Sequence, residues 1–352
     1  MKTTSVVCVS VVLALAITAW AAPQPDEPAR ASSKPASTYK LAFASDRTGD
    51  FEVYLMNLDG SDLRQLTHMP GTDEFPICAP DGKTIALHSE GPDGRAEIYL
   101  VNADGTGRRN WTRNPADDLY PRWSPDAKRI AFMSDRSGNY DIYVGHVEGP
   151  GLVQITQNDA DDAFPSWCPD VIAFVSNRDD DSEIYLTPDD GSLRPVRLTK
   201  HRGVDEFPFW SPDGRWLIYH SQIAGNTDIC LMRPDGSDWS NLTQNPGNDQ
   251  GPSWSADGQW IAFGSDRDGD WNIYRIKPDG LELTRLTDSR ADEMSPAWFP
   301  DGSRIVFRRR ATPDAKADLW TMKPDGSDQR RLTNHPADDG FISWLLQPTT
   351  TN

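Results

Sequence analysis

Apolar residues in this chain come in short bursts separated by turn chemistry. Within residues 252–295 four such runs, 253–254, 260–263, 272–276 and 283–287, are each closed by Gly, Asp or Pro. Runs of this length rich in Trp, Ile, Tyr and Phe, with Asp-Gly between them, predict β-strands joined by tight turns. The same module recurs along the whole chain, so repetition is the first property to explain.

Aligned on a Leu-Thr dipeptide and its variants, the modules place threonines at Thr67, Thr112, Thr156, Thr199, Thr243, Thr287 and Thr333, spaced 45, 44, 43, 44, 44 and 46 apart. Seven units of about four strands at this period predict an all-β fold, a seven-bladed β-propeller of four-stranded antiparallel blades. With strands lettered A to D from the central channel outward, strand A begins Pro-x-Trp, as at Pro121 and Trp123. Strand B holds triads such as Ile130, Ala131 and Phe132, strand C is marked by Tyr143 and its equivalents, and strand D ends in the threonine. The first unit, starting at Tyr39, has no strand A of its own, and residues 341–345 are a strand A with nothing after it. Pairing the two closes the ring and removes the exposed edges of an open sheet. The propeller is expected to span residues 39–346, with 347–352 as a tail.

Blade 3 reads Pro121-Arg122-Trp123-Ser124-Pro125-Asp126, then Ile130-Ala131-Phe132-Met133-Ser134-Asp135-Arg136, then Asp141-Ile142-Tyr143. These motifs resemble the TolB-type propeller repeat, a relative of the WD repeat, and the resemblance covers residues 39–346. It implies a propeller that binds partner proteins in the cell envelope, as TolB does in the Tol-Pal system. Related repeats also precede α/β-hydrolase domains in prolyl-oligopeptidase-like peptidases.

Composition narrows the partners. The chain has 352 residues, 13 Trp and a net charge of −18. Nucleic acid and anionic lipid are disfavoured, because both are bound through Lys and Arg. Residues 1–21 have Lys2, an apolar run over 6–17 and the end Ala19-Trp20-Ala21, a secretory signal peptide rather than a membrane span. Residues 22–38, rich in Pro, Ala and Ser, read as a flexible tether. The expected product is a soluble monomer, periplasmic or secreted. The cysteines that follow the signal, Cys78, Cys168 and Cys230, are an odd number and are expected as buried free thiols.

Candidate chemistry gathers just before strand A. Three positions ahead of each strand-A proline stand Asp73, Asp118, Asp162, Asp205, Asp249 and Glu293, with Asp339 before Ile342. Six blades add a second acid, Glu74, Asp117, Asp161, Glu206, Asp292 or Asp338. These carboxylates are expected to ring one mouth of the channel, the first row also capping its own connections by accepting backbone N–H groups. Their mutual repulsion would be relieved by a cation or a basic partner, and Ca²⁺ takes oxygen ligands of this kind. Immediately before strand A stand Phe75, Tyr120, Phe164, Phe207 and Phe341, with Gly251 and Ser295 at the two remaining positions. The recurring Ser-Asp-Arg of the B–C loop is expected to hydrogen-bond within its own turn.

Enzymatic motifs are sparse: the chain has no G-x-S-x-G, no H-E-x-x-H and no glycine-rich phosphate loop. His68, His201 and His335 fall in D–A connections of separate blades. The expectation is a non-catalytic scaffold that binds a protein or peptide at an acidic mouth. Its rival is a metal-assisted lyase or hydrolase acting on a saccharide or lactone in the channel.

Overall fold

A computed structural model describes residues 39–347 apart from Pro70, Pro92, Arg202, Ala224 and Pro313. The signal segment, the tether and residues 348–352 lie outside the described residues. The chain forms seven four-stranded antiparallel sheets, each with its strand A at one edge and its strand D at the other. The strands A run Asp73–Cys78, Asp118–Trp123, Asp162–Cys168, Asp205–Trp210, Asp249–Trp254, Asp292–Trp298 and Asp339–Leu346, in blades 2 to 7 and then blade 1. The last pairs antiparallel with Tyr39–Ser45, in register Tyr39↔Leu346 and Ser45↔Asp339, so the C-terminal strand completes the N-terminal blade.

The core lies between blades rather than within one. Strand B is buried on both faces, with Ile130, Ala131 and Phe132 fully inaccessible, because each sheet is covered by its two neighbours. One apolar cluster joins Ile98 and Leu100 of blade 2 to Trp123, Ile130 and Phe132 of blade 3, and the others repeat this arrangement around the ring. The strand-A tryptophans also tie blades through polar contacts: Trp123 Nε1 donates to the Ile77 carbonyl at 2.8 Å and Trp210 Nε1 to that of Ser166 at 3.0 Å.

The Leu-Thr signature has a physical cause. In all seven blades the threonine hydroxyl accepts a strand-C backbone N–H, from Val53, Ile98, Ile142, Ile184, Ile229, Ile273 and Leu319, at 2.9 to 3.1 Å. Strand D is only two or three residues long, and this bond anchors the chain where the ladder ends. The shortened A–B turn of blade 4 is a two-residue hairpin, Cys168 pairing with Val171 across Asp170 at φ 63°.

Every strand A carries a β-bulge at the same place, between the first acid and the tryptophan, as at Leu119/Arg122 and Glu206/Phe209. A bulge breaks the ladder locally and re-aims a side chain. The residue it re-aims stands just ahead of the strand-A proline, or of Ile342 in blade 1, and is aromatic in five of the seven blades.

Candidate functional site

The first acid of each blade lies at the start of strand A, in the interior and not on a rim. Asp73 is 1% exposed, and Asp118, Asp162, Asp205, Asp249, Glu293 and Asp339 are inaccessible. A buried carboxylate needs a charged or hydrogen-bonded partner. Six have an arginine: Arg108 for Asp73, Arg136 for Asp118, Arg178 for Asp162, Arg267 for Asp249, Arg309 for Glu293 and Arg47 for Asp339, at 2.6 to 3.0 Å. Each guanidinium also stacks on the strand-C aromatic of its blade, from 4.0 Å over Trp320 to 4.8 Å over Tyr143 and Tyr274.

This corrects two expectations. The Ser-Asp-Arg arginine does bond its own serine, as Arg136 Nε does Ser134 Oγ at 2.8 Å, but its far end reaches across to the acid of strand A. The first-row acids, for their part, accept guanidinium protons rather than capping backbone N–H groups, and they do not face an open mouth. Even so, burial raises the Asp118 carboxyl against the pull of Ser134 and Arg136.

The second acids divide by position. Asp117 accepts the Ala96 backbone N–H at 3.0 Å and pairs with Arg95. Asp161 accepts the Tyr140 N–H at 3.0 Å, and Asp338 accepts the Ala317 N–H at 3.1 Å together with Arg308 at 2.6 Å. These three brace the entry to strand C of the preceding blade. Asp292 is half-buried opposite Arg310. Glu74 and Glu206 instead follow the first acid and sit opposite His88 and His220 across the A–B ladder. Glu74 Oε2 lies 3.8 Å from His88 Nε2, and burial raises the Glu206 carboxyl.

The bulge residues form the most continuous feature of the mouth. Rings touch in the order Phe341, Phe75, Tyr120, Phe164 and Phe207, with centroids 4.1, 5.0, 4.9 and 4.4 Å apart. His88 adds its ring 4.8 Å from Phe75, and His220 lies 5.4 Å from Phe207. Burial pushes His220 down to about 4, and its Nε2 accepts the Gly251 N–H at 2.9 Å. All seven positions have positive φ, 50 to 53° at the five aromatic residues and Ser295, and 63° at Gly251. Side-chain-bearing residues there cost about 1 kcal/mol each, so the fold sustains strain in order to aim five rings. Gly251 and Ser295 leave the arc open over blades 6 and 7.

In the sequence His88 and His220 directly follow the strand-B triads of blades 2 and 5. Their signal was the register: each stands opposite an acid next to an aromatic residue. Four of the six arginines were signalled by Ser-Asp-Arg and its variant Ser176-Asn177-Arg178, Arg309 by the Arg308-Arg309-Arg310 run that stands in its place in blade 7, and Arg108 by the one blade where Glu90 and Gly91 follow the strand-B serine. Among the described residues no group of three or more His, Cys, Asp or Glu is arranged to hold a metal ion. Cys78, Cys168 and Cys230 are buried and unbridged, and burial pushes the Cys78 and Cys168 thiols up to about 12.

Fold and mouth together define a closed seven-bladed propeller whose inner strands carry one buried acid, pinned by an arginine in six blades, and one bulged residue at positive φ per blade. The chain belongs to the TolB beta propeller domain family, which its sequence matches over residues 76–171, 112–200 and 194–344. It is 41% identical over 58 residues to the Tol-Pal system protein TolB of Desulfosudis oleivorans, an alignment covering 16% of this chain and 13% of that curated relative. The structure of TolB from Acinetobacter baumannii superposes with TM-score 0.54 at 20% identity, covering 88% of this chain and 83% of that one. An oligogalacturonate lyase from Vibrio parahaemolyticus gives TM-score 0.61 at 16% identity over 76% and 82%. At these identities the structural matches establish the fold.

Proposed function

We propose that this is an exported, non-catalytic propeller that binds a protein or peptide partner across the aromatic arc at the mouth of its channel. The observation that carries the reading is the unbroken contact of five rings, each on a bulge and each at positive φ. Clustered, rigidly aimed aromatic side chains give large contact area at low entropic cost, the composition of binding hot spots. Glu74 and Glu206 flank the arc, and the net charge of −18 favours a basic partner and speeds its encounter. Membership in the TolB propeller family supports a binding role, and the signal-like N-terminus supports export. The enzyme reading rests on likeness of fold to the lyase alone.

Site-specific photo-crosslinking in the producing cell tests this. A crosslinker at position 207, at the end of the arc, is expected to yield a discrete protein adduct identifiable by mass spectrometry, while one at position 330 on the outer strand of blade 7 yields none. Equal labelling from both positions, or none from 207, would refute binding at the mouth.

A further inference from the structure

Blade 5 breaks the pattern that the other six obey. Its first acid, Asp205, is inaccessible like its counterparts, yet among the described residues no guanidinium reaches it. The Ser-Asp-Arg loop has become Ser221-Gln222-Ile223, and the strand-C aromatic on which an arginine would stack has become Cys230. Blade 2 also lacks the loop arginine but supplies Arg108 from just ahead of strand D; at the matching place in blade 5 stands Trp239. Blade 7 uses Arg309, at the position that Ser221 holds in blade 5, so none of the places from which the other blades supply their cation carries one here.

The loss leaves polar groups stranded. Among the described residues, neither oxygen of Asp205, neither ring nitrogen of His201 nor the hydroxyl of Ser221 makes a well-formed hydrogen bond, although the Ser221 and Thr199 hydroxyls lie close enough to pull the Asp205 carboxyl down. His201 replaces the asparagine that bonds the first acid at Asn158 and Asn245, but its Nε2 lies 3.6 Å from Asp205. Five orphan polar atoms in one buried spot are costly unless something else fills them. The spot lies near the surface: Trp239, 47% exposed, covers it with its ring 5.7 Å from His201 while donating from Nε1 to the Tyr219 hydroxyl at 2.7 Å. An exposed indole beside the histidine that neighbours a buried carboxylate offers an aromatic wall for a stacked cation.

We propose that blade 5 is a recognition site for the guanidinium of an arginine side chain carried by the partner, which takes the place that Arg47, Arg108, Arg136, Arg178, Arg267 and Arg309 take in the other blades. This rests on the reading of the mouth as a partner-binding surface and makes it more specific. Asp205 is two residues from Phe207, at the same end of the same strand, so a chain lying along the arc reaches the site as it passes Phe207. Guanidinium fits better than ammonium because the site offers a planar carboxylate, a hydroxyl and an aromatic face together. Six internal copies of the same contact show that this scaffold accommodates it.

Binding is linked to a proton. Burial raises the Asp205 carboxyl to about 7, with Glu183 and Asp181 adding to the rise and the nearby Ser221 and Thr199 hydroxyls opposing it. Glu183 is itself paired with Arg197, Asp181 accepts the Gly203 N–H, and burial lowers His201. The Cys230 thiol and Tyr219 hydroxyl are raised by burial and stay neutral. An arriving guanidinium expels the proton from Asp205, so affinity rises with pH through neutrality.

Calorimetric titration with N-acetyl-arginine amide, set against its uncharged isostere N-acetyl-citrulline amide, tests the site without knowledge of the partner. The full chain is expected to show one saturable arginine site, tighter at pH 8 than at pH 6, and none for citrulline. Asp205→Asn and Ile223→Arg are each expected to weaken it by about tenfold or more, the second while melting no lower than the parent, because it completes the pattern internally. Non-saturable binding, equal affinity for citrulline, or undiminished affinity in Asp205→Asn would overturn the proposal. Tyr120→Ala is expected to retain the arginine site, so an inert mouth beside a working arginine site would refute the earlier reading alone.

Discussion

At the scale of single residues, one substitution changes the chemistry of a whole blade. Asp118 and Asp205 occupy the same place in the fold and are equally inaccessible, but Arg136 neutralises the first and Ile223 stands where the second needs a cation. The consequence has a definite sign. A carboxyl held near 7 in the folded state and near 3.8 when unfolded favours the fold fully below about pH 4 and loses that contribution as pH rises toward 7, at up to about 1.4 kcal/mol per unit. His201, lowered by burial, acts in the opposite sense as pH falls below its ordinary 6.5. Comparing Asp205→Asn with the parent cancels the histidine to first order. Urea unfolding at pH 5 and pH 8 is expected to show the stability of the variant relative to the parent growing with pH; a gap that stays constant would mean that Asp205 is not held protonated.

At the scale of elements, strand positions and closure were legible in the sequence, while the partners of the charged residues were not. Short apolar runs, Asp-Gly turns and a repeat near 44 residues locate blades because local propensity and interblade packing agree. Asp118 and Arg136 are 18 residues apart, on the entry of strand A and the exit of strand B, and only the antiparallel register brings them together. For the same reason the ring of acids read from the sequence became a buried, neutralised layer. The closing strand carries a prediction of its own. Asp339–Leu346 supplies the edge that blade 1 lacks, and its end packs so closely on blade 2 that a Cβ at Gly82, which has φ +72°, would stand 1.9 Å from the Leu346 carbonyl oxygen. Deleting residues 341–352 is expected to abolish cooperative melting and leave aggregated protein, seen by calorimetry and size-exclusion chromatography. A soluble truncation with a sharp transition would contradict closure by this strand.

At the scale of the whole molecule, the inner strands do two separate jobs two residues apart. In six of the seven blades the first acid is spent on holding its blade, and removing one partner of such a buried pair costs about 3–5 kcal/mol. The bulge residue that follows has positive φ and, in five blades, is a half-buried ring of the arc proposed to meet the partner. The aromatic positions could be read from the sequence, but their positive φ and ring-to-ring contact could not, because both come from a bulge repeated around a closed ring. The most direct measurement is therefore a paired one within blade 3: melting temperature and crosslink yield from position 207, for Asp118→Asn and Tyr120→Ala side by side. The account predicts that Asp118→Asn melts lower and, below its melting point, crosslinks normally, while Tyr120→Ala melts like the parent and loses the adduct. If the two variants behave alike, or if Asp118→Asn alone loses the adduct at unchanged stability, the division between a structural acid layer and a binding arc is wrong.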